Sequence, residues 1–440
     1  MSSDSERYER RFRSTGSPTE TPAPDARTPG QIDRDRVLYT SAFRRLAGVT
    51  QVAGAAEGHV YHNRLTHTLE VAQLARRLAE RLRASHDELL KDANVSIDAD
   101  VAEAAALAHD LGHPPFGHVA EKTLQECIGE VAPTLDSFEG NAQSFRILTR
   151  LSAHRLDGYE GLNLTRATLN AVLKYPWLKG DGPKHDKWGA YRTEDADLLF
   201  ARTGSREGAQ SLEAAIMDHA DAVAYSVHDL DDFFRAGLVP LGSLHFTMAD
   251  DLQAFKESPK NGGKLASEEA SAIRAFALTF PVVGRAYTGR REDRKTLRTF
   301  TSVLIGRFLG AAELVPSTDG VKLQVDRTAA LEMRFLQNLV WRYVIDSPAL
   351  ASQQHGQKKV VAYLFDAYFD AVMKDNPLQI IPPAFAEDTK AARCADKDEK
   401  TNAAARLASD VVSSFTDEQA YRVYARLTGT AAGSVTDRFA

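Results

Sequence analysis

Apolar residues recur at three- and four-residue spacing along this chain, from about Asp33 almost to its end. This spacing predicts helices, because side chains three and four positions apart lie on one face of a helix. Few stretches show the strict alternation that a half-buried strand requires. We therefore predict an all-α fold, in which one early helix carries on a single face Leu65, Leu69, Ala72, Leu78 and Leu82.

The pattern divides the chain into three parts. The first thirty residues are polar and rich in Ser, Thr and Pro, which predicts a disordered N-terminal tail over residues 1–30. A helical core is expected over residues 31–245. A helical C-terminal region, 246–440, is expected to follow, either as a separate unit or continuous with the core.

Gly, Pro or charged residues replace the periodic pattern in three places, which we expect to be loops: 180–189, 258–263 and 387–402. Residues 360–373 are apolar nearly all round, which indicates a buried helix. Thr416 and Gln419 have the spacing of a capping box, in which two side chains satisfy free backbone amides where a helix begins.

Composition narrows the class of protein. With 440 residues and 43% hydrophobic side chains, the chain can bury a sizeable core, so a small disulfide scaffold is excluded. Its two cysteines, Cys127 and Cys394, offer no zinc-ribbon spacing. We find no apolar run of membrane-spanning or signal-peptide type. The net charge is −6, and we expect a reduced, cytoplasmic protein that does not coat nucleic acid by bulk charge.

Histidines are concentrated in one part of the chain, where seven of the thirteen lie between positions 59 and 118. A helix is expected to end near His113, because Pro114 disfavours helical geometry in the residue before it. His109 and Asp110 would then lie at a helix end. Imidazole and carboxylate groups suit a divalent metal such as Mn²⁺, Fe²⁺, Mg²⁺ or Zn²⁺. Together with three further candidate residues, these two lie within thirteen positions of the sequence: His109, Asp110, His113, His118 and Glu121.

Further ligands are expected from two other helices. His67 lies in the helix-forming stretch NRLTHTLEV, and Asp221, Tyr225 and Asp229 recur at four-residue spacing in a later apolar segment. Each feature also has a structural explanation: a hydrogen-bonded histidine at 67, a solvated helix face, and a helix C-terminal cap at 109–110. Their occurrence in order along one chain favours a metal site.

These residues reproduce the H…HD…D pattern of the HD-domain metal-dependent phosphohydrolases, with His67 first, His109 and Asp110 next, and Asp221 last. The surrounding sequence closely resembles the deoxynucleoside triphosphate triphosphohydrolases, the dGTPase-like family, in RDRVLYTSAFRRLAGVTQV, HNRLTHTLEV, AHDLGHPPFGHVAE, FEGNAQSFRIL, LNLTRATLNAVLKYPW and MDHADAVAYSVHDLDD. The resemblance covers about residues 34–235 and is diffuse beyond 245. It implies an HD-domain helical fold with additional C-terminal helices.

The resemblance also implies a reaction, hydrolysis of a deoxynucleoside triphosphate (dNTP) at its α-phosphorus to a deoxynucleoside and tripolyphosphate, with dGTP as a candidate preferred substrate. One divalent metal ion (Mn²⁺, Mg²⁺, Fe²⁺ or similar) would be held in each site by His67, His109, Asp110 and Asp221. The implied catalytic residues are His118, its partner Glu121, and His113. The implied substrate contacts are Gln51, Arg64, Asn141, Lys174, Lys187, Tyr225 and Asp229.

Several residues and segments have two interpretations. Ala222 stands where certain relatives carry a lysine, and Lys187 is equally explained as a loop lysine. The basic stretch 280–300 is either a phosphate or effector pocket or a solvated surface. Relatives imply a homo-oligomer and a dNTP or nucleic-acid effector. Two other functions are weighed: an HD-domain phosphohydrolase of a nucleoside monophosphate or guanosine tetraphosphate, and a nucleotide-sensing or nucleic-acid-binding protein.

Overall fold

The computed structural model describes residues 6–12, 25–51, 62–153, 160–258, 264–281, 287–318, 320–374 and 380–431. Within these residues the chain forms eighteen α-helices and one two-stranded antiparallel sheet, which confirms the all-α class. No helix in this part of the chain combines the length and the apolar character needed to cross a membrane.

The helices are numbered in chain order. Their bounds are α1 Pro29–Leu38, α2 Ser41–Arg45, α3 Arg64–Ser85, α4 Asp87–Asp92, α5 Ala99–Ala108, α6 His118–Val131, α7 Gly140–Arg146, α8 Arg166–Val172, α9 Asp195–Arg202, α10 Leu212–Arg235, α11 Leu244–Glu257, α12 Ser267–Ala277, α13 Arg291–Gly310, α14 Arg327–Val340, α15 Pro348–Met373, α16 Ala386–Cys394, α17 Lys397–Ser413 and α18 Asp417–Leu427. The strands are β1 Ala312–Ser317 and β2 Gly320–Val325.

Helices α3, α5 and α10 pack against one another at the centre of the fold. The alanine-rich α5 is buried along its length except at Glu103, since small side chains let neighbouring helices approach closely. The predicted face of α3 is correct at Ala72, Leu78 and Leu82, which are buried, but wrong at Leu69, which is 46% exposed. Leu69 lies two positions after buried His67 and two before buried Val71, and a step of two residues along a helix turns a side chain to nearly the opposite face.

The core does not stop at the predicted boundary. A continuous cluster of buried apolar side chains runs from Val37 to Val344, and α11 passes through residue 245 without a break. A second cluster, from Phe116 to Val423, packs α6 against α15 and α17, with α18 against α15. The division at 245 stays a prediction, but the C-terminal helices do pack directly on the helix that begins at His118.

Residues 6–12 depart from the predicted disordered tail. A turn of 3₁₀-helix spans Glu6–Tyr8, Arg7 contacts the carboxylate of Glu213 at 2.5 Å, and Arg10 contacts Asp33 at 2.6 Å. Both carboxylates are buried, and a buried charge requires a partner. These distant acceptors order a stretch whose composition alone predicts disorder. Residues 1–5 and 13–24 lie outside the described residues.

The other segment predictions had mixed outcomes. The capping box of Thr416 and Gln419 is present at the start of α18. Residues 360–373 belong to α15, as predicted, but the segment is buried on one side only, and Tyr363 is 38% exposed. The loop predicted at 387–402 was wrong, because α16 and α17 cover it except at Ala395 and Asp396; its charged residues lie mainly on the exposed sides of these helices. The hairpin of β1 and β2 was not predicted.

The loop predicted at 180–189 is confirmed, whereas only Ser258 of the break at 258–263 lies within the described residues. The basic stretch 280–300 leads into α13. Its described basic side chains are all exposed, which favours a solvated surface: Arg290, Arg291, Arg294, Lys295 and Arg298. Residues 282–286 of this stretch lie outside the described residues.

Arg146 on α7 is buried between two carboxylates, at 2.5 Å from Glu194 and 2.9 Å from Asp410 on α17. Replacing Arg146 with methionine is expected to lower the free energy of unfolding by about 3–5 kcal/mol, because both carboxylates would stay buried without a cation. Denaturant titration would measure the change. The exposed ion pair of Arg77 with Glu80 provides the control, since Arg77→Met should cost less than about 1 kcal/mol. Equal effects of the two substitutions would contradict the prediction.

Candidate functional site

Three helices carry the predicted metal ligands. The side chain of Asn63 caps α3, which places His67 in the first turn of that helix. His109 is the C-cap residue of α5, directly after Ala108, and Asp110 follows it in a turn. Asp221 lies within α10. Because α3, α5 and α10 pack together, residues far apart in the sequence meet at one point.

The ligand atoms of three of these residues converge. The Nε2 of His67 lies 3.1 Å from Oδ1 of Asp221, and the Nε2 of His109 lies 3.7 Å from the same oxygen. All three ligand atoms lie within 4.8 Å of one another. Asp110 borders this group, with its Oδ1 3.5 Å from the Nε2 of His109. The structure thus assembles the H…HD…D residues into one cluster.

The cluster fits a divalent cation. The Nδ1 of His109 lies 2.6 Å from the carbonyl oxygen of Ala106, and donation of Nδ1–H to that oxygen leaves Nε2 with a free electron pair. This Nε2 is buried and has no hydrogen-bond partner among the described residues. Burial lowers the pKa of His109, but Asp110 and Asp221 outweigh it and raise the pKa to about 9. The carboxylates therefore favour positive charge at this point.

Asp110 is held from two sides. The buried guanidinium of Arg64 donates to its Oδ2 at 2.7 Å, and the Nδ1 of His113 lies 3.0 Å from its Oδ1. Although burial raises the pKa of Asp110, Arg64 and His109 lower it well below its ordinary value. Burial and the charge of Arg64 lower the pKa of His113 to about 4, so its imidazole is neutral. The catalytic role of His113 stays a prediction.

Lys174 lies beside the metal cluster. Its Nζ is 2.8 Å from Oδ1 of Asp218 and 3.0 Å from Oδ2 of Asp221. Burial lowers the pKa of Lys174, but these two carboxylates raise it well above its ordinary value. A fixed positive charge therefore adjoins the cluster, where an anionic ligand would meet it. Asp218, which shares the lysine, was not singled out from the sequence.

His118 and Glu121 form a pair at the start of α6, as predicted. The Nδ1 of His118 lies 2.9 Å from Oε2 of Glu121; the imidazole is 76% exposed and the carboxylate side chain 6%. Lys187 contacts the other oxygen of Glu121 at 3.1 Å and Glu139 at 3.0 Å. Burial raises the pKa of Glu121, yet the hydrogen bond with His118 and the charge of Lys187 lower it overall. An ionised Glu121 holds the proton of His118 on Nδ1 and leaves Nε2 facing solvent.

The turn between α5 and α6 has an unusual backbone. Phe116 and Gly117 both have positive φ angles, +64° and +62°. Residues other than glycine rarely adopt such angles. A Cβ atom at Gly117 would lie 3.2 Å from Nη2 of Arg64, so glycine allows the turn to approach this arginine closely. Strain of this kind is typical of functional sites, where the surrounding structure maintains it.

Distant residues maintain this turn, and the sequence did not reveal them. Asp417, the first residue of α18, accepts hydrogen bonds from the backbone N–H groups of Phe116 at 2.9 Å and Thr50 at 3.2 Å. Arg45 donates to the carbonyl oxygen of His113 at 2.9 Å. The C-terminal helices therefore help to shape the site, although no local motif marks these contacts.

Tyr225 and Asp229 follow Asp221 along α10 at four-residue intervals, as predicted. Asp229 is only 3% exposed, and its Oδ2 has no hydrogen-bond partner within the described part of the chain. Burial, together with neighbouring carboxylates, raises the pKa of Asp229 well above its ordinary value. An unsatisfied buried oxygen is costly, so a ligand hydroxyl would relieve this cost.

The two other predicted substrate residues differ from each other. The Oε1 of Gln51 is buried and lacks a hydrogen-bond partner among the described residues, so it is available to a ligand. Asn141 donates through Nδ2 to Glu139 at 2.8 Å and lies in the first turn of α7. All the substrate contacts, including those of Arg64, Lys174 and Lys187, stay predictions.

Comparison with known proteins agrees with this geometry. Residues 64–226 match the HD domain, and residues 323–426 match the phosphohydrolase-associated domain. The first match begins at Arg64 and ends one residue after Tyr225, so it spans the clustered ligands. The second covers the C-terminal helices that pack against α6 and support the turn before it. The chain is therefore an HD-domain phosphohydrolase.

Curated relatives cover most of its length. It is 37% identical over 438 residues to a deoxyguanosinetriphosphate triphosphohydrolase-like protein of Streptomyces coelicolor, covering 93% of this chain and 95% of the relative. Proteins of the same description from Corynebacterium efficiens and Corynebacterium glutamicum are 39% and 36% identical over 361 and 386 residues. These alignments cover 78% and 83% of this chain and 80% and 85% of the relatives. The chain belongs to the family of deoxyguanosinetriphosphate triphosphohydrolase-like proteins.

Proposed function

We propose that this protein hydrolyses deoxynucleoside triphosphates at the α-phosphorus, releasing a deoxynucleoside and tripolyphosphate. The observation that carries the proposal is the convergence of His67, His109 and Asp221 next to Lys174, with Arg64 on the adjoining carboxylate. A chain with a net charge of −6 must bind a triphosphate through cations at specific positions. The names of the relatives make dGTP the first substrate to test.

In this proposal His118 supplies a proton at its Nε2, since Nδ1 is held by Glu121. Water adds to the α-phosphorus and releases one proton to solvent, the bond from phosphorus to the 5′-oxygen breaks, and that oxygen takes up the proton of His118 as the nucleoside leaves. Lys187 keeps Glu121 ionised and so maintains the orientation of the imidazole. The four residues of the H…HD…D pattern would hold a divalent cation, which would neutralise phosphate charge and activate water.

Tyr225 and Asp229 are proposed to bind the deoxyribose. The unpartnered Oδ2 of Asp229 would accept a hydrogen bond from the 3′-hydroxyl, and the ring of Tyr225 would pack against the sugar at C2′. A ribose hydroxyl would then meet the ring, which is a physical basis for selection of deoxynucleotides. The Oε1 of Gln51, also buried without a partner among the described residues, would be a further sugar contact.

The test is a product assay with each of the four dNTPs and with GTP, in the presence of Mn²⁺ or Mg²⁺. We expect deoxynucleoside and tripolyphosphate in equal amounts from at least one dNTP, and at least about tenfold slower cleavage of GTP than of dGTP, as expected when a pocket disfavours one added group. The Asp221→Asn variant, purified in the same way, controls for contaminating enzymes. Formation of mono- or diphosphates instead of tripolyphosphate would contradict the proposal.

The remaining expectations are proposals of the same kind. A dNTP substrate would place the enzyme in the cytoplasm, and the family resemblance leads us to propose a homo-oligomer that responds to a dNTP or nucleic-acid effector. Light scattering of the purified chain tests the oligomer. The product assay repeated with pairs of dNTPs, and with single-stranded DNA, tests the effector.

A further inference from the structure

A second group of side chains that could hold a metal lies beside α3 and α10; we call this group, His62, Glu70 and His228, the outer cluster. His62 immediately precedes the cap of α3, Glu70 lies on α3, and His228 lies on α10. The Nε2 of His62 is 3.2 Å from Oε1 of Glu70, and the Nδ1 of His228 is 2.6 Å from Oε2 of Glu70. One ligand atom from each residue lies within 4.8 Å of the other two.

Hydrogen bonding accounts for only part of this arrangement, because the Nε2 of His62 is hydrogen-bonded with Oε1 of Glu70 at 3.2 Å, whereas His228 has no such bond to Glu70. His228 is 7% exposed, and neither its Nδ1 nor Oε2 of Glu70 has a partner of hydrogen-bond geometry in the described residues, despite their 2.6 Å separation. The imidazole rings of His62 and His228 also stack, with centroids 5.3 Å apart and planes 15° apart. Two imidazoles that both face one carboxylate, one of them at 2.6 Å without hydrogen-bond geometry, have the arrangement of ligands of a common cation.

Asp232 orients one of these imidazoles. Its Oδ2 accepts from the backbone N–H of His62 at 2.6 Å and lies 2.7 Å from Nδ1 of His62. Donation of Nδ1–H to this carboxylate leaves the Nε2 of His62, which faces Glu70, as an electron-pair donor. A carboxylate behind a histidine in this way is the usual second layer of a metal site, since it fixes the ring and the tautomer.

The first cluster has the same features in this molecule. There the Nδ1 of His109 lies 2.6 Å from a carbonyl oxygen, its Nε2 is buried without a hydrogen-bond partner among the described residues, and one carboxylate, Asp221, faces two imidazoles. In the outer cluster these features are divided between two histidines: the Nδ1 of His62 lies against Asp232, the buried Nδ1 of His228 has no hydrogen-bond partner among the described residues, and Glu70 faces both imidazoles. Glu70 follows His67 by three residues on α3, and His228 follows Asp221 by seven on α10.

We propose that the outer cluster binds a second divalent cation of the Zn²⁺ type, held by the Nε2 of His62, a carboxylate oxygen of Glu70 and the Nδ1 of His228. Two imidazoles and one carboxylate are a ligand set typical of Zn²⁺, with water in the fourth position. Glu70 has a side chain 38% exposed, which gives the cation and the water access from solvent. The bound cation would join α3 to α10, the helices that carry His67 and Asp221.

The experiment counts bound metal. The full-length chain is equilibrated by dialysis against Zn²⁺, and the number of Zn²⁺ ions per chain is measured by inductively coupled plasma mass spectrometry. We expect two Zn²⁺ per chain in the unaltered protein and one in the double variant His62→Gln/His228→Gln. The Asp221→Asn variant should also retain one, and the triple variant none. These outcomes do not depend on which nucleotide the enzyme cleaves, so the proposal can fail while the proposed function stands.

Matched variants separate ligand loss from misfolding. His86, the residue after α3, pairs with Glu313 at 2.9 Å and lies outside the outer cluster. The His86→Gln variant should therefore keep two Zn²⁺ per chain. Asp232→Asn leaves the three ligands in place and should weaken the outer site by about 10–100-fold without lowering its capacity. Thermal unfolding by circular dichroism checks that each variant folds. A single Zn²⁺ in the unaltered protein, or two in the folded double variant, would overturn the proposal.

Discussion

Replacing Asp221 with asparagine is expected to remove one divalent cation per chain and to lower kcat/KM for dNTP hydrolysis by on the order of 10³-fold. The carboxylate faces both His67 and His109, and no other carboxylate of the described residues joins these two imidazoles within the 4.8 Å cluster. A catalytic metal contributes several kcal/mol of transition-state stabilisation, and about 1.4 kcal/mol corresponds to a tenfold rate. Metal analysis and the product assay measure the two effects.

Asp218 provides a matched control for this substitution. It lies on the same helix and contacts the same Lys174, at 2.8 Å, but it is not part of the metal cluster. Asp218→Asn should therefore keep the cation that Asp221→Asn loses. Full retention of metal by the Asp221 variant would show that Asp221 is not a metal ligand. Equal loss of metal in both variants would show that the loss results from the altered contacts of Lys174.

Replacing His118 with alanine is expected to lower kcat by about 10²–10⁴-fold, the usual contribution of a general acid or base. The side chain is 76% exposed, so its removal leaves the core unchanged. KM and bound metal should change little, because His118 lies outside the group formed by His67, His109 and Asp221. Steady-state kinetics and metal analysis of the same preparation test the separation of chemistry from binding.

Two further measurements make this prediction specific. Added imidazole should restore part of the lost rate, since the missing group is a proton donor and not a structural element. His185, an exposed histidine of the loop that also contains Lys187, provides the control, and His185→Ala should leave kcat unchanged. An unaltered kcat in the His118 variant would exclude the residue as the proton donor.

Much of the fold follows from local pattern. Helices form where apolar residues recur every three or four positions, and the capping box at Thr416 and Gln419 marks the start of α18 because its hydrogen bonds involve neighbouring residues only. The errors have the same origin. The pattern could not determine which face of α3 is buried at Leu69, and it could not predict the ordering of residues 6–12, because partners elsewhere in the chain decide both.

The candidate site was predictable in its identities but not in its arrangement. The resemblance to HD-domain phosphohydrolases identified four candidate ligands, His67, His109, Asp110 and Asp221. Packing of three helices brings the ligand atoms of His67, His109 and Asp221 within 4.8 Å of one another. The sequence also named His118 with Glu121, which are three residues apart and share a helix face. It treated Lys187 as either a phosphate ligand or a loop lysine. In the structure its Nζ contacts Glu121 and Glu139, and its contact with phosphate stays a prediction.

The sequence by itself therefore determined the helical class and the family, and it named the candidate ligands, because periodicity, capping and short motifs depend on residues close together in the chain. The tertiary structure alone decided which distant groups meet. Asp417 supports the turn at Phe116 across 301 positions, and His62 meets Asp232 across 170. Such contacts depend on how packed helices are placed relative to one another, and no local pattern of side chains encodes that placement.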